Sequence, residues 1–336
     1  MKITCFGARG SLPTPSRKGF STIKYGGNTN CYYVEAGPFR IVLDDGTGVA
    51  VLGDWLMKTG KIGRHFINLL THFHWDHIQG LPFSVPYFIG TNTFHFHGPI
   101  PSGHEATGQP RSAVEAMLAT QQANPHFPVA HECLPAGKTY NGHDRQFSKV
   151  VVYQALTPWT SQPAAVDWAE YRQTEPGLYK ADDPTMIKIT TIPLSHPDGC
   201  LGYRIDWMGE SVAYCTDLEP FRKPHFHTSR IAAGVQWILL DGQYTDDELG
   251  GMNQGFGHGS PDSCLEQAIA CKAKHLVVHH HDIRRSDAAL DAMEADVKAK
   301  AEAAGFGAAN VEFAREGVTW TLDGANGLVQ VEGKDD

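Results

Sequence analysis

The stretch Thr71-His72-Phe73-His74-Trp75-Asp76-His77 decides how this chain is read. It follows the apolar run Phe66-Ile67-Asn68-Leu69-Leu70 and sets His72, His74, Asp76 and His77 within six residues. In an extended segment side chains alternate between faces, so His72 and His74 point the same way, and Asp76 and His77 follow where the chain can turn into a helix. Burying such a cluster without a cation to share is costly. A His-rich surface loop is the simpler account, because the chain has 18 His in 336 residues. The position at the end of an apolar run argues for a ligand site instead, since layered α/β folds bind their ligands at strand ends.

Other runs end the same way. Ile41-Val42-Leu43 ends in Asp44, Ile192-Pro193-Leu194 leads to His196, and Ala213-Tyr214-Cys215 leads to Asp217. Ile238-Leu239-Leu240 ends in Asp241, and Leu276-Val277-Val278 in His279-His280-His281. If these strands gather their ends at one sheet edge, the side chains share a cleft. His with carboxylate suits zinc, manganese or iron, and no thiolate is needed.

Helical spacing over Val49 to Lys58 stops at Gly60, and Ser260 with Pro261 caps a helix running to about Lys272. Arg111 to Ala123 and Arg285 to Ala304 also read as helices. Turn-rich loops occupy Gly7 to Pro15, Gly26 to Asn30 and Gly250 to Gly259. From Leu81 to about Thr185 the chain is rich in Pro, Gly and aromatic residues with weaker periodicity, too long for a plain loop. It reads as an insert with short elements of its own that covers or flanks the site.

The net charge of −9 and pI near 6.0 argue against a broad basic surface for long nucleic acid. The start Met1-Lys2-Ile3-Thr4-Cys5-Phe6 lacks the apolar core of a signal peptide, and no run is long enough for a membrane span, so a cytoplasmic location is expected. The seven Cys are odd in number, scattered, and contain no Cys-x-x-Cys pair, which excludes a disulfide framework and a zinc ribbon as readings.

The series His-x-His-x-Asp-His, then an isolated His, an isolated Asp and a final His after strands, resembles the ligand series of the metallo-β-lactamase-fold hydrolases. It is similar to the phosphodiesterase branch that includes ribonuclease Z and small cyclic-phosphate phosphodiesterases. The resemblance runs from the Gly7–Pro15 loop through Leu43-Asp44 and Gly46-Thr47-Gly48 to the late His cluster. It implies a single α/β domain over residues 1–336, a four-layer αββα sandwich with an insertion at about 81–185. It implies two divalent metal ions per chain, zinc first, with manganese or iron also accommodated. His72, His74 and His196 would hold one ion, Asp76, His77 and His280 the second, and Asp217 would bridge them. His280 is chosen within the triplet because the family's last ligand directly follows the strand, in a His-His-Asp context matched by His280-His281-Asp282. His279 and His281 would face away and serve as supporting groups. A bridging carboxylate at Asp217 departs from the Cys of true two-zinc β-lactamases, and His74 departs from the Glu usual in di-iron oxygen reductases of this fold.

The resemblance also implies a mechanism. Two cations roughly 3.5–4 Å apart ionise a water near neutral pH for in-line attack on phosphorus. Asp76 would orient that water, and His258, in Gly255-Phe256-Gly257-His258-Gly259-Ser260, would contact the phosphate or protonate the leaving oxygen. Asp44 and Asp241 would hold ligand imidazoles in the right tautomer. Asn28, Asn30 and Arg9 lie in loops brought towards the site, although turn chemistry accounts equally for Gly-Gly-Asn, and Arg222, Lys223, Arg284 and Arg285 are either a positive rim for phosphate or, the commoner fate of such pairs, solvated surface charge. The expected substrate is a small, nucleotide-like (cyclic) phosphodiester, with no membrane partner, and a homodimer fits the family. A thioester or lactone hydrolase, or a metal-binding sensor without catalysis, are the competing readings.

Overall fold

The computed structural model describes residues 1–62, 65–103, 110–156, 170–220, 224–322 and 331–332. The first six strands lie in one sheet: β1 (Lys2–Gly7), β2 (Cys31–Ala36), β3 (Phe39–Leu43), β4 (His65–Leu69), β5 (Thr93–Pro99) and β6 (Gly137–His143). The next eight form a second sheet: β7 (Val150–Ala155), β8 (Tyr171–Thr174), β9 (Met186–Leu194), β10 (Cys200–Trp207), β11 (Glu210–Cys215), β12 (Trp237–Asp241), β13 (His275–His279) and β14 (Val311–Phe313). The chain then returns to the first sheet with β15 (Thr319–Thr321) and β16 (Val331–Glu332).

Alternation along the strands builds three apolar layers. Ile3, Val34, Ile41 and Leu69 from the first sheet meet Ile189, Leu201, Ile205 and Leu239 from the second in the central layer. Helix α1 (Gly48–Thr59) packs Leu52 and Leu56 onto the outer face of the first sheet. It ends where Gly60 takes a left-handed conformation that only glycine adopts freely, as its sequence position predicts. One turn of helix, α2 (Trp75–Ile78), follows β4, and α3 (Pro110–Gln121) covers β5 and β6.

On the other face lie α4 (Phe226–Ile231), the short α5 (Asp246–Leu249), α6 (Pro261–Cys271) and α7 (Asp287–Ala303). Leu265, Leu290 and Val297 reach Ile238 and Val278 from α6 and α7. The Ser260 hydroxyl accepts from the Ser263 N–H with Pro261 at the first helical position, the cap expected from sequence. The result is an αββα sandwich. None of the described helices is long and apolar enough to cross a membrane.

The described residues of 81–185 carry short strands and α3, and their strands join the two sheets. They supply β5 and β6 to the first sheet and β7 and β8 to the edge of the second. Residues 157–169 of this stretch, and Arg222 and Lys223 with their expected rim role, lie outside the described residues.

Direction explains where the site falls. β3 and β4 run parallel, as do β11, β12 and β13, and β9 shares their direction because it is antiparallel to β10, itself antiparallel to β11. Their carboxyl ends therefore meet at one edge of the sandwich. At that edge Asp44, Asp217 and His280 each take a positive φ, 58°, 55° and 60°, within two residues of a strand. Left-handed backbone costs a non-glycine residue about 1–2 kcal/mol, and strain of this kind collects at functional sites.

Candidate metal centre

The strand ends bring His72, His74, His196 and Asp217 together, with one potential ligand atom from each lying within 4.8 Å of the others. Asp76, His77 and His280 form a second such group. Asp217 joins the two. Its Oδ2 lies 3.4 Å from His72 Nε2 and 3.5 Å from His196 Nε2, while its Oδ1 lies 3.4 Å from His77 Nε2 and 3.2 Å from His280 Nε2. Asp76 Oδ2 closes the second group at 3.3 Å from His77 Nε2 and 3.2 Å from His280 Nε2. His74 presents Nδ1, 3.2 Å from His196 Nε2.

The outer nitrogens fix the tautomers. His77 Nδ1–H donates to Asp44 Oδ2 at 2.8 Å, and Asp44 is held in turn by the Thr71 N–H and the Tyr214 hydroxyl, each at 2.8 Å. His196 Nδ1–H donates to the Gly257 carbonyl at 3.0 Å, His280 Nδ1–H to Gln243 Oε1 at 2.8 Å, and His72 Nδ1–H to the Thr71 hydroxyl at 3.1 Å. Each Nδ1 is thereby engaged, and Nε2 is the nitrogen turned to Asp217. Such outer partners orient ligands and raise their basicity.

Electrostatics favours a cation here. Burial opposes charge on His77, but Asp76, Asp217 and Asp44 outweigh it and raise its pKa well above the usual imidazole value. Burial likewise opposes charge on Asp76 and Asp217, yet the surrounding imidazoles, His77 first for Asp76 and His280 first for Asp217, hold both well below the carboxylate range. Burial, then His77, pushes His72 well down, so it is neutral. Its buried Nε2 has no hydrogen-bond partner although it sits beside the Asp217 carboxylate. A lone pair facing an anion is repulsive unless a cation lies between them, so the donor set fits divalent metal.

His258 stands over the second group with its ring 5.0 Å from that of His280. Its Nδ1–H donates to Asp241 Oδ2 at 2.8 Å. Burial opposes its charge, but Asp241 prevails and raises the pKa to about 9. Asp217, Asp241, His258 and His280 form a third possible ligand group, within which His258 Nδ1 is hydrogen-bonded to Asp241.

Several supporting residues stand differently from expectation. Asp241 reaches His280 Nδ1 only at 3.7 Å and orients His258 instead, so Gln243 is the partner of His280. Asn28 gives its backbone N–H and its side-chain amide to Glu316. Asn30 donates to the Thr216 hydroxyl at 3.3 Å, one residue from Asp217. Arg9 is buried and bonded to the carbonyls of Gly26, Asp282 and Arg285, tying two loops together rather than offering charge to a cleft. Arg284 and Arg285 pair with Asp282 and Glu248.

His281 donates from Nε2 to the Ala314 carbonyl at 3.0 Å, and the His279 ring packs against Tyr32 and Tyr214. Sequence reasoning passed over Gln243 and Glu219. Glu219 accepts from the N–H groups of Gly255 and Gly257 at 2.9 and 3.0 Å and so shapes the His258 loop. No motif marks either residue.

Two abutting mixed sheets between helical layers, with a His/Asp metal-ligand cluster at their common edge, define the metallo-β-lactamase fold. Residues 141–281 match the family model described as beta-lactamase superfamily domain. Among solved structures, the metallo-beta-lactamase fold protein YhfI from Bacillus subtilis is 14% identical at a TM-score of 0.57, with 95% of this chain and 98% of that one covered. The short form of human tRNase Z is 16% identical at 0.57, covering 96% and 100%. A diphosphatase of the PhnP family is 15% identical at 0.55, covering 96% and 98%. No curated relative matches by sequence.

Proposed function

We propose that this protein is a dinuclear metal-dependent hydrolase acting on a small phosphodiester. The observation that carries the reading is the division of the Asp217 carboxylate, one oxygen towards His72 and His196 and the other towards His77 and His280. His72, His74 and His196 would hold one ion, Asp76, His77 and His280 the other, with Asp217 between them. Zinc is the first candidate for a His- and carboxylate-rich set. Bound there, two divalent ions supply Lewis acidity and lower the pKa of a coordinated water.

The chain's own groups do the rest. Asp76, oriented by the Ser11 N–H at 2.7 Å, accepts a hydrogen bond from the attacking water. His258, whose charged form the Asp241 carboxylate favours, gives Nδ1–H to Asp241 and offers its Nε2–H to a phosphoryl oxygen or as the proton for the leaving oxygen. A cationic imidazole at this place matches an anionic phosphodiester better than a neutral thioester or lactone. The fold's likeness to a tRNase Z and to a PhnP-family diphosphatase supports phosphoryl chemistry, and the net charge of −9 weighs against a structured-RNA substrate.

The test is a panel of cyclic nucleotides, bis-p-nitrophenyl phosphate, a thioester and a lactone, assayed with metal-loaded and chelator-treated protein. Turnover of phosphodiesters that chelator abolishes and zinc or manganese restores is expected. Turnover confined to the acyl substrates would overturn the reading.

A further inference from the structure

The two ligand groups differ in exposure, and the difference locates the mouth of the site. Asp76, His77 and His280 are buried, as is the His196 side chain, whereas His74 is exposed. His74 therefore marks the open side of the ligand cluster. Three chain segments that hold the cluster each leave a large apolar side chain in solvent. Trp75, between His74 and Asp76, is 77% exposed, while its helical neighbours Asp76, His77 and Ile78 are buried. Phe256 is 54% exposed and precedes Gly257, whose carbonyl receives His196 Nδ1–H. Leu12 is 52% exposed and follows Ser11, whose N–H binds Asp76.

Single exposed apolar residues are common on protein surfaces. These three come from separate segments and each is adjacent in sequence to a group that holds the metal cluster, where exposed apolar surface rimmed by polar groups would mark a binding site. None of the three is needed by the ligand geometry, which is set by their neighbours.

We propose that Trp75 and Phe256 form an aromatic rim that selects substrates whose phosphate ester carries an aromatic group, a nucleobase or aryl ring, by stacking on it while the phosphate occupies the metal centre. The inference rests on the phosphodiester reading only in taking phosphate as the group that anchors the ligand. Leu12 extends the apolar edge. Aromatic side chains hold bases through their π-faces with little regard to base identity, so the rim selects an aromatic group rather than one base. A stacked base contributes roughly five- to hundredfold in affinity.

The experiment is calorimetric binding of adenosine monophosphate and ribose 5-phosphate to the metal-loaded protein, wild type and the variants Trp75→Ala, Trp75→Phe and Phe256→Ala. The metal content of each variant is checked first. The wild type is expected to bind the nucleotide at least about tenfold tighter than the sugar phosphate. Trp75→Ala and Phe256→Ala should each erase most of that preference, and Trp75→Phe should keep much of it. Equal affinity for the two ligands in the wild type, or a preference untouched by both Ala variants, would overturn the inference. Wild-type protein that keeps the preference but hydrolyses no phosphodiester would leave the rim standing and remove the phosphodiesterase reading.

Discussion

The molecule buries two sets of histidines, and they differ in their company. At the strand ends, His72, His77, His196 and His280 turn their Nε2 atoms onto the carboxylates of Asp217 and Asp76. On β5, β6 and the preceding turn, His95, His97, His131 and His143 bond to neutral partners. His97 lies 2.8 Å from His143 Nε2 and 2.7 Å from the Tyr153 hydroxyl, His95 2.9 Å from the Thr139 hydroxyl, and His131 2.8 Å from the Tyr140 hydroxyl. Histidine density alone therefore does not identify a metal site. Carboxylates among the imidazoles do, because they leave negative charge that a cation must balance.

Acid separates the two sets most strongly. Burial first, aided by His65 for His95, Lys138 for His131 and Lys149 for His143, lowers each pKa from 6.5 to about 4. The folded state keeps these rings neutral. Their contribution to stability is complete above pH 6.5 and is lost as pH falls towards 4, about 2 kcal/mol each between pH 7 and 5. Denaturant unfolding at both pH values should show the wild type losing roughly 6 kcal/mol more than a His95→Gln, His131→Gln, His143→Gln variant. Equal losses would break the contrast.

At the metal centre the effects should appear in chemistry. His258→Ala is expected to lower kcat by about 10²–10⁴-fold with metal content unchanged, checked on bis-p-nitrophenyl phosphate. Undiminished turnover would remove its role. Gln243→Ala, which frees His280 to rotate, should weaken metal affinity about 10- to 100-fold, read by competition with a chelator. His143→Gln should cost only about 1 kcal/mol at pH 7 and leave metal affinity as it is. A loss of metal there would merge the two sets.

The same contrast explains what was legible in the sequence. Local signals carried the His72–His77 motif, the Gly60 stop, the Ser260 cap and the strand ends in Asp44, Asp217 and His280, because ligand spacing and turn chemistry are written within a few residues. Strand β5 was not recognised. In Thr93-Phe94-His95-Phe96-His97 the alternation reads as one wet face, yet both faces are buried, with Phe94 and Phe96 against the helices and His95 and His97 near Tyr153 of the second sheet. Only the tertiary partners of those imidazoles make them core residues. Gln243 escaped for a similar reason, since its hydrogen bond to His280 spans 37 residues. Asp241 was expected to hold a ligand imidazole and bonds His258 instead, a pairing that depends on side-chain geometry at the strand end.

The central claim is that Asp217 joins two metal positions. Titrating chelator-stripped protein with zinc and counting bound ions by elemental analysis tests it directly. Two ions per chain are predicted for the wild type and at most one for Asp217→Ala. Two retained by the variant, or fewer than two bound by the wild type, would contradict the account.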